Sequence, residues 1–170
     1  MDSFVRFIEE LQGDPRACGI GAQLKRDGVN LRHLFADLTI YSQGRSMAAD
    51  RVKRGKQHRA IINRAVRENG LRPEYGRWLL DRGELAHATN GLTRVHNVDA
   101  LAGAVIYTEA VTRRKLPMSS LAFLVECANR ALNLKPFDVD PETIGRELRR
   151  HKEKNGRFLE ILKADILDKL

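Results

Sequence analysis

Apolar side chains recur three and four residues apart along much of this chain, which is the spacing of one face of an α-helix. The first such face is formed by Phe4, Phe7, Ile8 and Leu11. It predicts a helix from Asp2 to Leu11, ended by Gly13, Asp14 and Pro15. Because only one face of this helix is apolar, we expect it to pack against the rest of the protein.

The following residues, 15–30, contain several glycines and little periodicity, so we expect a loop there. Gly19, Ile20 and Gly21 resemble part of a phosphate-binding loop, but Leu24 stands where a third glycine would be and no strand precedes them. We therefore interpret them as plain loop. A second helical face follows, formed by Leu31, Leu34, Phe35 and Leu38. Residues 43–56 are polar and basic and are interpreted as a linker or surface arm.

The sequence after residue 56 predicts five further helical segments. They cover about 57–69, 73–88, 98–114, 119–132 and 141–154. Gly70 would end the first, Pro73 would open the second, and Asn97 would cap the third. The centre of the third, Ala100 to Tyr107, is apolar on every side. This pattern predicts a central helix in contact with most of the others.

Boundary signals define the fourth and fifth segments. Lys115 to Pro117 would form the exit from the third helix, and Ser119 or Ser120 would cap the fourth. The inward face of the fourth would be Leu121, Leu124, Val125 and Ala128. Asp140 as N-cap and Pro141 at the first helical position would start the fifth.

A last amphipathic stretch, 158–170, closes the chain as a separate helix. No segment alternates in the manner of a strand, so we predict an all-α fold. The predicted organisation is an N-terminal helical segment (1–44), a basic linker or arm (45–55) and a helical domain with its C-terminal helix (56–170).

Four short features accompany the five segments. They are the turn Asn69, Gly70 and Leu71, a string of small residues ending in an aromatic at 99–107, a basic loop with a proline at 113–117, and the helix opening 142–146. Together they resemble a cyclin-fold repeat of the transcription factor B (IIB) family over roughly 56–154. The resemblance implies a compact five-helix cyclin-like bundle with extra N-terminal helices and a C-terminal amphipathic helix. It also implies DNA binding in a transcription-related role.

Two family features are missing from this chain. Members of the factor B family carry an N-terminal zinc ribbon built from paired cysteines, followed by two cyclin repeats. This chain has no CxxC pair and has room for one repeat. The resemblance therefore does not extend to polymerase recruitment by a ribbon.

Net charge is +8 with a pI near 9.9, and most of it is concentrated in two places. The first is 45–67, with eight basic residues and one acid, Asp50. The second is 146–157, with six basic residues against Glu147 and Glu153. Clustered cations are what a phosphate-contacting surface requires, because binding releases counterions. The alternative is a solvated linker and an ordinary charged helix face.

Helical geometry indicates which residues of the fifth segment share a face. With Ile144 at zero degrees, Leu148 and His151 fall within about 40 degrees of it, while Arg146, Arg149 and Arg150 lie between about 140 and 240 degrees. Such an arginine face suits phosphates and can also pair with guanine. His151 lies on the apolar side and is interpreted as a core histidine with a satisfied partner.

A second tight cluster, Arg113, Arg114 and Lys115, lies at a helix end, where cations also favour the macrodipole. The basic arm has no aromatic residue to stack on single-stranded bases, so phosphate contact is the better interpretation. The candidate nucleic-acid-binding residues are Arg51, Lys53, Arg54, Lys56, Arg59, Arg113, Arg114, Lys115, Arg146, Arg149 and Arg150.

Other chemistry is weakly supported. The five histidines show no HxxxH or HExxH spacing, and no nucleophile has a matched base, so we expect no metal, no cofactor and no enzymatic activity. Cys18 and Cys127 are interpreted as reduced, buried thiols. An N-terminal signal pattern and a membrane-spanning run are both missing, so we expect a cytoplasmic protein with no membrane partner.

The leading interpretation is a duplex DNA-binding protein in a transcription-related role, with no small-molecule substrate. A small helical subunit that packs along RNA or a displaced DNA strand in a ribonucleoprotein, as CRISPR small subunits do, is the first alternative. A protein-interaction module is the second, since cyclin folds bind proteins through helix grooves. The first alternative would bind other protein subunits and would bind nucleic acid weakly alone.

Overall fold

A computed structural model describes residues 2–46, 64, 67–68, 95–134, 137 and 139–168. The chain is all-helical, and these ranges contain no strand. The described helices are α1 (Ser3–Gly13), α2 (Cys18–Arg26), α3 (Leu31–Ser46), α4 (Val95–Thr112), α5 (Met118–Leu132) and α6 (Pro141–Asp168). The predicted all-α class is confirmed. The predicted helix 73–88 and most of the predicted helix 57–69 lie outside the described residues.

Helix α1 forms where its apolar spacing predicts. Asp2 caps it, because its Oδ1 accepts a hydrogen bond of 3.0 Å from the backbone N–H of Phe4. Phe7 is fully buried, and its ring stacks on that of Phe35 in α3 with centroids 4.7 Å apart. The face predicted from the sequence is thus the face that packs.

Helix α2 corrects the prediction of a loop over 15–30. Gly21 lies inside α2 and is buried against α1, where an added Cβ would stand 3.2 Å from Leu11 Cδ1. Glycine lowers helix propensity, but here it allows the close approach of two helices, and the burial of Leu24 compensates. Gly19 and Gly21 therefore belong to a helix and not to a phosphate-binding loop.

Helix α3 is enclosed on every side over 34–42, which is buried without a break. It packs extensively along α4 and also against α5 and α1. The polar side chains of Asp37, Thr39 and Ser42 are buried with it. In the described part of the chain, α3 is therefore the central helix.

Helix α4 packs mainly between α3 and α6. Its residues 100–104 are buried, but 105–107 are only half-buried, so the prediction that Ala100 to Tyr107 lie in a central helix in contact with most of the others is wrong for its second half. Leu101 and Ala104 belong to the hydrophobic core, whereas Val105 and Tyr107 pack against its edge.

Three helix starts can be compared with their predicted caps. α4 begins at Val95, so Asn97 lies within the helix and is not its cap. α5 begins at Met118 after Pro117, so Ser119 and Ser120 lie in its first turn and the predicted cap is wrong. The fixed φ of the proline already sets the direction of entry into α5. The cap of α6 is confirmed, since Asp140 Oδ1 accepts a bond of 2.9 Å from the N–H of Thr143.

Helix α6 is one continuous helix of 28 residues, about 42 Å long at 1.5 Å per residue. The two stretches predicted as separate helices are therefore joined. Gly156 lies inside this helix, where a glycine lowers stability by about 1 kcal/mol relative to alanine. The burial of Leu162 and Ile166 beyond it exceeds that cost.

All the described helices contribute to one hydrophobic core. Buried members come from the N-terminal segment (Phe7, Leu38) and from the later helices (Leu101, Leu124, Ile144). The segment predicted as a linker from residue 43 begins as helix, because α3 continues to Ser46. No helix in the described ranges is long and apolar enough to cross a membrane.

Candidate nucleic-acid interface

The first four turns of α6 carry the predicted arginine face. Ile144 is fully buried and His151 is buried, whereas Arg146, Arg149 and Arg150 are all exposed. The helical geometry read from the sequence is confirmed, because the three arginines lie on the exposed side of α6.

The basic cluster contains two acids, Glu147 and Glu153, and the Glu147 carboxylate is held on the side of α3. Its Oε2 accepts a bond of 2.8 Å from the hydroxyl of Tyr41, and its Oε1 lies 3.3 Å from Arg45 Nη2. Tyr41 is fully buried, and burial followed by the nearby Glu147 charge raises its pKa well above the usual value. Arg45 in turn lies over the Phe137 ring, 5.4 Å from its centroid.

The arginines themselves make few intramolecular contacts. Arg146 lies 3.8 Å from Glu142, a carboxylate whose side chain is 82% exposed, so this pair is weak. No ion pair in the described part of the chain involves Arg149 or Arg150. The face therefore keeps most of its positive charge available to a ligand.

Arg113, Arg114 and Lys115 form the turn between α4 and α5, and all three are exposed. Arg113 ends α4 in the left-handed region with φ of 56°. Arg114 is already engaged, because its guanidinium forms a short ion pair with Asp27. Only Arg113 and Lys115 of this cluster lack an ion pair in the described ranges.

The structure brings this turn to the same end of the protein as the start of α6. Gly145 is buried, and a Cβ on it would stand 3.7 Å from Met118 Cγ and 3.5 Å from Arg149 Nη1. Because Met118 follows Lys115 by three residues, the basic turn and the first turns of α6 are neighbours. The predicted arm residues Arg51, Lys53, Arg54, Lys56 and Arg59 lie outside the described residues.

The prediction that His151 is a core histidine with a satisfied partner is confirmed. Its Nε2 is 2.6 Å from Asp99 Oδ1, and the two side chains are only 6% and 1% exposed. The pair joins α4 to α6 in the interior. Because this pair fixes the inner face of α6 against α4, it also fixes the direction of the arginine face on the other side of α6.

A second group of charges was not predicted and has a structural role. Arg16 and Arg130 both contact Asp14, at 3.0 Å each, and Arg130 also lies 2.7 Å from Glu10. Hydrogen bonds from Arg16 hold the pKa of Asp14 well below its usual range. Arg16 also lies 2.7 Å from Glu126. These arginines tie α1 to α5 and are neutralised, so they do not extend the candidate interface.

The two cysteines differ. Cys127 is buried, and burial raises the pKa of its thiol to about 11. Cys18 is exposed, so the prediction that both thiols are buried is wrong for it, because α2 turns it outward. The described residues contain no group of three or more histidine, cysteine or acidic side chains that could hold a metal ion.

Comparisons with protein-family models, with curated proteins and with solved structures find no match for this chain.

Proposed function

We propose that the protein binds duplex nucleic acid, DNA in preference to RNA, through the outer face of α6 together with the basic turn between α4 and α5. The observation that supports this proposal is the exposed arginine triad Arg146, Arg149 and Arg150 on a helix whose opposite face is buried. Guanidinium groups on a fixed helix lose little conformational freedom when they bind phosphate.

The electrostatics favour a polyanion over an ordinary solvated face. A solvated helix surface usually carries acids that pair with its bases three or four residues away. Here Glu147 is turned toward α3, and Glu142 is too exposed to neutralise Arg146 strongly. Glu153, which follows Arg149 by four residues, is exposed and makes no ion pair within the part of the chain that the structure describes. Large apolar side chains exposed in the described ranges are Val5 and Leu167, neither of which is aromatic. Single-stranded bases would find no fully exposed aromatic side chain to stack on there, which favours a duplex.

The wider proposal is a transcription-related, non-enzymatic and cytoplasmic protein with a single cyclin-like repeat, in which the basic arm adds further phosphate contacts. This part rests on the sequence resemblance and the charge map. Phosphate contacts position a protein without reading bases, so binding should depend on salt more than on sequence.

The test is a salt titration of duplex DNA binding. If the basic surfaces together neutralise about 4 to 6 phosphates, log affinity should fall against log salt with a slope of about −4 to −5. Replacing Arg146, Arg149 and Arg150 together by alanine should reduce that slope by up to about 3, with helical content unchanged. A charge-matched control replaces the exposed Lys25, Arg26 and Lys163 by alanine, and should change the slope much less.

Three outcomes would contradict the proposal. Equal losses in both triple variants would mean that only the total charge matters. Tighter binding to RNA or to single-stranded DNA would favour the ribonucleoprotein subunit. No binding to any nucleic acid at low salt would favour the protein-interaction module.

A further inference from the structure

The position of Glu147 on α6 makes it a natural competitor for the ligand of the arginine face. It lies three residues before Arg150, and on a helix this spacing places the two side chains within reach of one another. A carboxylate paired with Arg150 would mimic one phosphate and would occupy part of the proposed binding surface. Local helix geometry alone would allow such a pair.

The structure places the Glu147 carboxylate elsewhere. Each of its oxygens contacts a group of α3: Oε2 accepts from the Tyr41 hydroxyl at 2.8 Å, and Oε1 lies 3.3 Å from Arg45 Nη2. Tyr41 and Glu147 are 106 positions apart in the chain, so their contact depends on the tertiary fold and not on local helix geometry.

Both partners are themselves fixed. Tyr41 has no exposed surface, and its ring meets the Phe137 ring edge-on with centroids 6.1 Å apart. Arg45 lies over the same Phe137 ring, 5.4 Å from its centroid. The two donors are therefore preorganised to receive the carboxylate, so little conformational entropy is lost when they hold it.

We infer that Tyr41 and Arg45 are positioning residues of the arginine face: they hold Glu147 against α3 and so keep Arg150 free to bind phosphate. The inference rests on the proposed nucleic-acid function. Neither residue needs to touch the ligand. Their contribution is to prevent an internal acid from competing with it.

The test is a double-mutant cycle measured by duplex DNA affinity at low salt. Tyr41→Phe keeps the ring but removes the hydroxyl, which releases Glu147 toward Arg150, and should weaken binding about two- to threefold. Glu147→Gln removes the competing charge and should bind at least as tightly as the parent. In the Glu147→Gln background, Tyr41→Phe should have no further effect.

The cycle separates positioning from a general loss of structure. Tyr107→Phe is the matched control, since its hydroxyl accepts from the backbone N–H of Asn30 at 3.0 Å and does not contact Glu147. This variant should bind like the parent. Raising the salt concentration should also shrink the Tyr41→Phe effect, because the competing pair is at the surface.

The possible failures point to different errors. Tyr41→Phe could weaken binding to the same extent in the parent and in the Glu147→Gln background. It would then act through stability, and the inference would be overturned. If Tyr41→Phe has no effect while the arginine triple variant loses affinity, the inference fails and the proposed function stands. If the arginine triple variant binds like the parent, the proposed interface itself is wrong and the inference falls with it.

Discussion

Replacing His151 by alanine should destabilise the protein by about 1–3 kcal/mol, because a buried polar partner would be lost. The Nε2 to Asp99 Oδ1 distance is 2.6 Å, and the two side chains are only 6% and 1% exposed, so the variant loses a hydrogen bond from the interior and leaves a cavity beside a buried carboxyl group. Removing one member of a buried polar pair costs roughly 1–3 kcal/mol. Against a total stability of about 5–15 kcal/mol for a domain of this kind, that loss is readily measured.

The assay is urea denaturation followed by far-ultraviolet circular dichroism, for His151→Ala, Asp99→Ala and the double variant. Because the two residues contact each other, the double variant should be more stable than the sum of the single losses predicts, by about 0.5–3 kcal/mol. Lys152→Ala, at an exposed position of the same helix, is the control and should change stability by about 0.5 kcal/mol or less. Additive losses, or a His151→Ala loss no larger than that of Lys152→Ala, would refute the assignment of this pair as the link between α4 and α6.

Two further predictions concern residues in and next to α1, α2 and α5. A thiol reagent should modify Cys18 rapidly in the folded protein and Cys127 only after unfolding, which mass spectrometry of the labelled chain would show; equal labelling rates would contradict the burial of Cys127. Asp14→Asn should destabilise the protein at neutral pH, because hydrogen bonds from Arg16 lower the pKa of Asp14 in the folded state. The difference from the parent should diminish as the pH falls below about 4, the usual pKa of an aspartate, and a difference independent of pH would argue against an ionic role.

Local signals in the sequence were sufficient for much of the helical framework. The apolar spacing around Phe7 predicted α1, and the spacing around Leu124 predicted the buried face of α5. Asp140 followed by Pro141 marked the start of α6, since a cap and a fixed φ act within one turn. The arginine face was predictable for the same reason, because its geometry depends only on positions along one helix.

Features that depend on distant residues could not be predicted from the sequence. Helix α2 contains glycines that disfavour a helix locally, and the reason for Gly21 is the Leu11 side chain on another helix. The complete enclosure of α3 was not evident, since Asp37 and Ser42 give it a polar side in the sequence. In the candidate interface, the Arg114 pair with Asp27 also joins residues far apart in the chain. No spacing rule links such residues before the fold is known.

The enclosure of α3 limits both the local opening of the protein and the order in which it can fold. A helix that is surrounded over 34–42 offers no side from which it can detach while its neighbours stay in place. Its backbone amides should therefore exchange with solvent deuterium only through global unfolding, whereas those of the short, peripheral α2 can exchange through local opening. Because α3 lies at the centre of the described core, its docking and the assembly of that core are a single cooperative event.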